Sequence, residues 1–174
     1  MISIHNTPAT AAITSPIEHL HACHRRIEER LNTLERVAPH LLTRTDEALA
    51  ALQAVFWFFD SSGVTHTADE EESFFPRLAG KLTPEESGFL EALETEHSRA
   101  EAIYDELKCC VAEFEKPPTE EDQKQYAELA GALCSLYRQH IRNEDARFAG
   151  LAARALTPDD LDAISKEMRQ RRGL

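Results

Sequence analysis

His66 before Glu70, and His140 before Glu144, each place an imidazole four residues ahead of a carboxylate. Four residues is just over one helical turn, so each pair stacks on one helix face with about 6 Å of rise between its members. Each pair offers a nitrogen and an oxygen to the same point, and two such pairs facing each other could clamp a metal ion. Two further histidines, His24 and His97, fall inside two other long helical patterns. Together they make a mixed nitrogen and oxygen donor set drawn from four helices, the arrangement of a metal site inside a helical bundle.

The elements that must position these groups are marked by their caps. Ser15-Pro16-Ile17-Glu18 and Thr83-Pro84-Glu85-Glu86 each join an N-capping hydroxyl, a proline at the first helical position and a glutamate at the third. Thr45, Thr119 and Thr157 mark further starts, and Pro39, Gly80, Pro117-Pro118 and Gly173 mark ends. The pattern predicts helices over 16–38, 46–79, 84–115, 119–154 and a short 158–171, with the second bending at Ser61-Ser62-Gly63. Ile17, Leu20, Ile27, Leu31 and Leu34 form one stripe with His24 in its middle. Leu90, Leu93, Ile103 and Leu107 do the same around His97, and Leu133, Leu136, Tyr137 and Phe148 around His140.

The expected fold is therefore all-α: an up-and-down four-helix bundle over 16–154, preceded by a flexible segment over 1–15. A short C-terminal helix within 155–174 would pack on or near the bundle. A single inward histidine is usually a satisfied core residue. Four at one depth, with Glu70 and Glu144 one turn from His66 and His140, would cost several kcal/mol unless they shared a partner.

Composition narrows the function. The 174 residues carry 31 acidic and 19 basic side chains, a net charge of -12, with no long basic face. Nucleic acid and anionic membrane are poor partners for such a surface. The densest basic patch, Arg169-Gln170-Arg171-Arg172, reads as complementing a helix C-terminus. The longest apolar run, Ala48 to Phe59, is too short to cross a bilayer, and the first 15 residues lack the pattern of a secretory signal. A cytoplasmic protein is the expectation. Four cysteines form no CxxC pair, and Cys23, beside His24, reads as a small buried hydrophobe.

Imidazole with carboxylate, and no cysteine at ligand spacing, disfavours structural zinc and suits iron, with manganese or zinc as minority occupants. Two carboxylates reaching in from opposite helices could each bridge a metal pair, which points to two iron ions. Glu94-Thr95-Glu96-His97 fits the Glu-x-x-His spacing of ferritin-like bundles, which use two such motifs on separate inward faces and so give this reading weak support. HExxH, GxSxG, P-loop and dinucleotide glycine motifs are all missing.

The residues resemble the hemerythrin-like (HHE) cation-binding domains. The likeness is carried by Cys23-His24-Arg25-Arg26-Ile27 with Leu31 and Leu34, and by the run from His66-Thr67-Ala68-Asp69-Glu70 to Phe74-Phe75-Pro76-Arg77-Leu78. Leu93-Glu94-Thr95-Glu96-His97 and His140-Ile141-Arg142-Asn143-Glu144-Asp145 complete it, so four motifs stand in the family's order across residues 16–154. The resemblance implies that His24, His66, His97 and His140 are terminal iron ligands and that Glu70 and Glu144 bridge the two irons.

Glu101 stands where the oxygen-carrying members of that family have a second histidine four residues after the third-helix ligand, a departure that counts against reversible oxygen carriage. Glu101 is itself a weaker ligand candidate. His40 is another, provided Pro39 ends the first helix and the chain turns back, since a straight helix would put it about 24 Å from His24. His21, one turn from His24 at the stripe's edge, suits an outer role. Glu94, Glu101, Asp69 and Tyr137 are candidate acceptors for the outer ring nitrogens. By α-helical rotation Glu71 and Glu72 turn away from the face of His66 and Glu70.

The functional expectation is a non-haem di-iron protein that binds or senses a small diatomic ligand, oxygen or nitric oxide, or iron itself. The alternatives are a di-iron protein in iron-sulfur cluster repair, a peroxidase or oxidase-like enzyme, and a metal-free interaction bundle.

Overall fold

Hydroxyl caps set where the helices begin, except in the second rod, which starts at Thr45 behind Arg44 with no side-chain cap. In the computed structural model, which describes residue 13 and residues 15–174, Ser15 Oγ accepts from the Glu18 backbone N–H at 3.3 Å and opens α1, Pro16–Val37. A 3₁₀ turn, Ala38–His40, closes that rod. Full capping boxes open α5, Pro84–Ala112 (Thr83 with Glu86), α6, Glu120–Ala155 (Thr119 with Asp122), and α7, Pro158–Arg171 (Thr157 with Asp160). Among the described residues every regular element is helical.

The second rod is less regular than its sequence pattern. It runs from Thr45 to Leu78 as α2, Thr45–Phe58, α3, Val64–Ala68, and α4, Phe75–Leu78, joined by two π turns, Phe59–Gly63 and Asp69–Phe74. The first π turn falls where the sequence predicts a bend. Hydroxyl groups take up carbonyls there: Ser61 Oγ donates to Trp57 O at 2.6 Å, and Thr65 Oγ1 to Ser61 O at 2.8 Å. The second π turn carries Glu70. Such turns add a residue to the helical circumference, so side chains after them rotate relative to an α-helical count.

Two apolar clusters fill the bundle, and each rod crosses from one to the other. One cluster gathers Ile27 to Leu41 of the first rod, Ala48 to Phe59 of the second, Ala100 to Cys110 of α5 and Tyr126 to Ile141 of α6. The other gathers Leu20, Phe74 to Leu78, Phe89 to Leu93 and Phe148 to Leu156, together with Ile164 and Met168 of α7. The order of the clusters reverses from each rod to the next, which is the up-and-down arrangement. Between them lies one polar layer holding His24, His66, Glu70, His97, His140 and Glu144.

α7 packs on the second cluster and is tied down by Arg77, which donates to both carboxylate oxygens of Glu167 at 3.0 and 2.7 Å, and by Lys81 on Asp160 at 2.9 Å. The predicted flexible segment over 1–15 lies almost wholly outside the described residues. Ile13 is buried, and its carbonyl accepts from Arg169 Nη1 at 2.7 Å.

Because the first cluster lies in a separate layer from the polar groups, damage there should register in stability alone. Leu133→Ala, at a fully buried position, is expected to cost about 2–5 kcal/mol. Denaturant unfolding should show that loss, while the metal content of the folded protein stays at the wild-type level.

Candidate metal centre

Each rod contributes to the polar layer from the middle of its inward face. His24 comes from α1, His66 from α3, Glu70 from the second π turn, His97 from α5, and His140 and Glu144 from α6. His24 Nε2 lies 3.0 Å from Glu144 Oε2 and 3.9 Å from Glu70 Oε1, while His66 Nε2 lies 3.3 Å from Glu70 Oε1. On the other side His97 Nε2 lies 3.3 Å from Glu70 Oε2, His140 Nε2 lies 3.4 Å from Glu144 Oε2, and the two imidazole nitrogens approach to 3.1 Å. Two compact groups result, His24 with His66, Glu70 and Glu144, and His97 with His140 and Glu70. Glu70 belongs to both.

The layer is buried and its oxygens lack donors. Glu70 is 0% exposed and Glu144 2%. None of their four carboxylate oxygens has a hydrogen-bond partner in bonding geometry, and neither does His24 Nε2. Buried carboxylates left this way are strongly unfavourable unless a cation stands among them. Inward nitrogens and oxygens converging without donors are what a bound metal ion requires, so the donor set fits one.

The outward ring nitrogens are held by a second set of groups. Asp145 Oδ1 accepts from His24 Nδ1 at 2.8 Å, Glu71 Oε1 from His97 Nδ1 at 2.7 Å, and Glu96 Oε2 from His140 Nδ1 at 2.9 Å. A carboxylate can only accept, so Nδ1 carries hydrogen in each ring and Nε2 faces the centre. His66 Nδ1 has no directed partner; the Cys23 thiol lies beside it and itself accepts from Arg26 Nη2 at 2.9 Å. Every one of these groups is the chain neighbour of a ligand candidate on a different rod. Cys23 precedes His24 and meets His66, Glu71 follows Glu70 and meets His97, Glu96 precedes His97 and meets His140, and Asp145 follows Glu144 and meets His24.

Burial opposes charge on His24, His66, His97, Glu70 and Glu144, and pairing overrides it. His24 is raised to about 11 by Glu144 and Glu70, and His97 to about 9, mainly by Glu70. His66 moves in the same direction through Glu70. Glu70 is driven far below the carboxylate range by His66, His24 and His97. Glu144 is lowered by His140 and His24 in spite of burial and of repulsion from Glu70. Burial would raise the Cys23 thiol, yet His19 and His66 pull it down to about 5.

The structure brings six of the sequence candidates together and leaves three apart. His21 is half-buried and donates Nδ1–H to Asp145 Oδ1 at 2.7 Å, sharing that oxygen with His24. Glu101 is exposed and joins neither inward group. His40 is exposed in the 3₁₀ turn at the end of the first rod and borders a separate hollow with Val37 and Arg44. Leu41 next to it sinks into the far apolar cluster, which keeps His40 at the rod's end.

Two expectations about the outer groups are corrected. Glu71 turns inward to His97 because it follows Glu70 within a π turn, where α-helical rotation no longer holds. Cys23 meets polar neighbours rather than serving only as a buried hydrophobe. Of the four acceptors named from sequence, Asp69 faces α7, Glu94 is exposed, and Tyr137 and Glu101 line a cavity of about 350 Å³ that reaches His97. The actual partners were readable only as chain neighbours of ligands, a cue that needs the packing to acquire meaning.

A family model described as the hemerythrin HHE cation binding domain matches residues 15–152, a stretch containing every inward donor named above. The chain belongs to that family. An uncharacterized protein of Haemophilus influenzae is 27% identical over 165 residues, covering 93% of this chain and 92% of the relative. As an HHE domain the chain is a cation-binding bundle, and its buried His/Glu layer is the place where a metal can sit. No helix among the described residues is long and apolar enough to cross a membrane.

The pKa shifts fix the sign of two pH effects. His24 and His97 are raised from 6.5, so in metal-free protein their contribution to stability is complete below about pH 6.5 and is lost as pH rises through about 9 and then about 11. The thermal midpoint of the metal-free protein should fall across that alkaline range. Metal affinity should rise with pH over the same interval, since binding must displace the imidazole protons. Calorimetric titration in buffers of different ionisation enthalpy measures the proton release directly.

Proposed function

We propose that this HHE domain holds two iron ions, and that it binds or senses a small ligand such as oxygen or nitric oxide, or iron supply. One observation carries the reading. The two oxygens of Glu70 face different imidazoles, Oε1 toward His66 and Oε2 toward His97, while Glu144 Oε2 faces both His24 and His140. Carboxylates placed this way could each be shared by two metal ions. His24 and His66 would complete one ion's protein ligands, and His97 and His140 the other's. Imidazole and carboxylate donors without an inward thiolate favour iron over a structural zinc site.

Iron in this setting would supply an electron-rich, redox-active ion with room for a diatomic ligand. The chain's own residues do the rest. Asp145, Glu71 and Glu96 hold three rings with Nε2 inward. Phe75 lies parallel to the His97 ring, with centroids 6.4 Å apart, and Phe148 packs edge-on against Phe74, closing the layer on one side to water. The cavity beside His97, walled by Phe59, Val64, Tyr104 and Tyr137, offers a small molecule a route to the centre.

A second reading, iron donation in cluster repair or an oxidase or peroxidase-like activity, is favoured by the same cavity's charge. Asp60, Glu71, Glu72, Glu101 and Asp105 line it, a negative path suited to a travelling cation.

Anaerobic reconstitution with Fe(II) separates the readings. Two irons per chain and a reversible visible-absorption change on exposure to oxygen or nitric oxide are expected. Iron consumed in turnover, or passed to a cluster-free acceptor protein, supports the second reading, and failure to take up any iron overturns both. His66→Ala and His140→Ala should each lose both ions, because each ion would depend on Glu70 and Glu144 in common with the other.

A further inference from the structure

α7 lies beyond the stretch matched to the family, and its last turn is aimed at the turn that carries Glu70. Arg171 Nη1 donates to Asp69 Oδ1 at 3.0 Å, and Arg172 donates to Asp69 Oδ2 at 2.6 Å and Oδ1 at 3.2 Å. Arg171 Nη2 also donates to Ser73 Oγ at 2.9 Å and to Glu72 Oε2 at 3.1 Å. Asp69 and Ser73 are both 0% exposed. These contacts grip the first residue of the π turn and a residue near its end. Between the two grips stand Glu70, shared by both inward groups, and Glu71, the partner of His97.

Geometry gives this grip its significance. A π turn has a widened ladder that an α-helix would outcompete without outside support, and here the altered rotation is what brings Glu71 to His97. Arg172 Nη1 also donates to the carbonyl of Met168, one turn back in α7, so the reach of its guanidinium is set by the helix it belongs to. Met168 and Ile164 fix that helix in the apolar cluster that contains Phe74, the last residue of the same π turn. At a helix C-terminus this basic tail complements the dipole. The contacts give it a second employment.

We propose that Arg171 and Arg172 are positioning residues for the metal centre, clamping the Asp69–Phe74 turn so that Glu70 and Glu71 meet their imidazoles, and that α7 docking and metal occupancy are thereby coupled. The proposal rests on the metal-binding reading above. Coupling of this kind is reciprocal: loosening α7 weakens the metal, and binding the metal tightens α7. The C-terminal helix would then register whether the centre is filled.

The test uses the metal-free full-length protein titrated with Co(II) alone, followed by visible absorption, with hydrogen exchange read over residues 69–75 and 158–171. Wild type should saturate, and exchange should slow in both segments on loading. The Arg171→Ala/Arg172→Ala double variant should bind about 10–100-fold more weakly, with an altered absorption envelope and no cobalt-dependent slowing in α7. Arg171→Lys/Arg172→Lys should recover part of the affinity. If the alanine variant does not fold, Asp69→Asn keeps the shape, removes the charge pairing, and should show the same weakening and altered envelope. A folded alanine or asparagine variant with wild-type affinity, spectrum and exchange response would reduce the arginines to ordinary anchors, whatever its thermal midpoint. Wild type that takes up no Co(II) overturns the metal-binding reading and this proposal with it, whereas binding by wild type with unchanged variants overturns the proposal alone.

Discussion

Two glutamates with no hydrogen-bond donors, enclosed between apolar clusters, are the constraint around which this bundle is arranged. Carboxylates at such depth need positive charge within a few ångströms, because the surroundings screen little and solvate less. The four imidazoles answer that demand in part, and the raised histidine and lowered glutamate pKa values are its measure. Protons on the rings and a metal ion between them are alternative ways to balance the same buried negative charge. A helical bundle without a cation-binding role would have no physical reason to keep Glu70 and Glu144 in its interior, where leucine would pack without penalty.

The second constraint is rotational. An inward imidazole can hold a cation only if its ring is oriented, and a neighbouring rod hydrogen-bonds three of the four rings and borders the fourth. Cys23 of α1 meets His66, Glu71 of the second rod meets His97, Glu96 of α5 meets His140, and Asp145 of α6 returns to His24. The circuit closes around the bundle axis. Each rod therefore presents an inward imidazole and meets that of the next, so displacing one rod disturbs two imidazoles. Three links are carboxylates in directed hydrogen bonds and one is a thiol without one, which makes the His66 quarter of the layer chemically distinct from the rest.

Much of this was legible in the chain. The i, i+4 spacing of His66 with Glu70 and His140 with Glu144 survives in the structure because a helical turn puts those positions together by geometry alone. The apolar stripes around His24, His97 and His140 placed those rings at one depth, and the hydroxyl caps placed the rod starts within a residue or two. What could not be read follows from packing. A 3.6-residue count turns Glu71 away from the face of His66 and Glu70, and that count fails inside a π turn. Asp145 and Glu96 are ordinary helix-surface carboxylates until a second rod brings a ring nitrogen to them. His40 depended on where the chain turns after Pro39, and the burial of Leu41 decided that against the centre. The arginines of α7 satisfied a dipole argument well enough that their partner, Asp69, went unsuspected.

The account stands on Glu70 and Glu144 being shared between two ions. An anomalous-difference map from crystals of the iron-loaded protein, recorded on both sides of the iron absorption edge, tests this most directly. Two iron peaks are expected in the polar layer, one beside His24 and His66 and one beside His97 and His140, with both glutamates between them. A single peak, peaks away from these side chains, or carboxylates turned from the metal would contradict it.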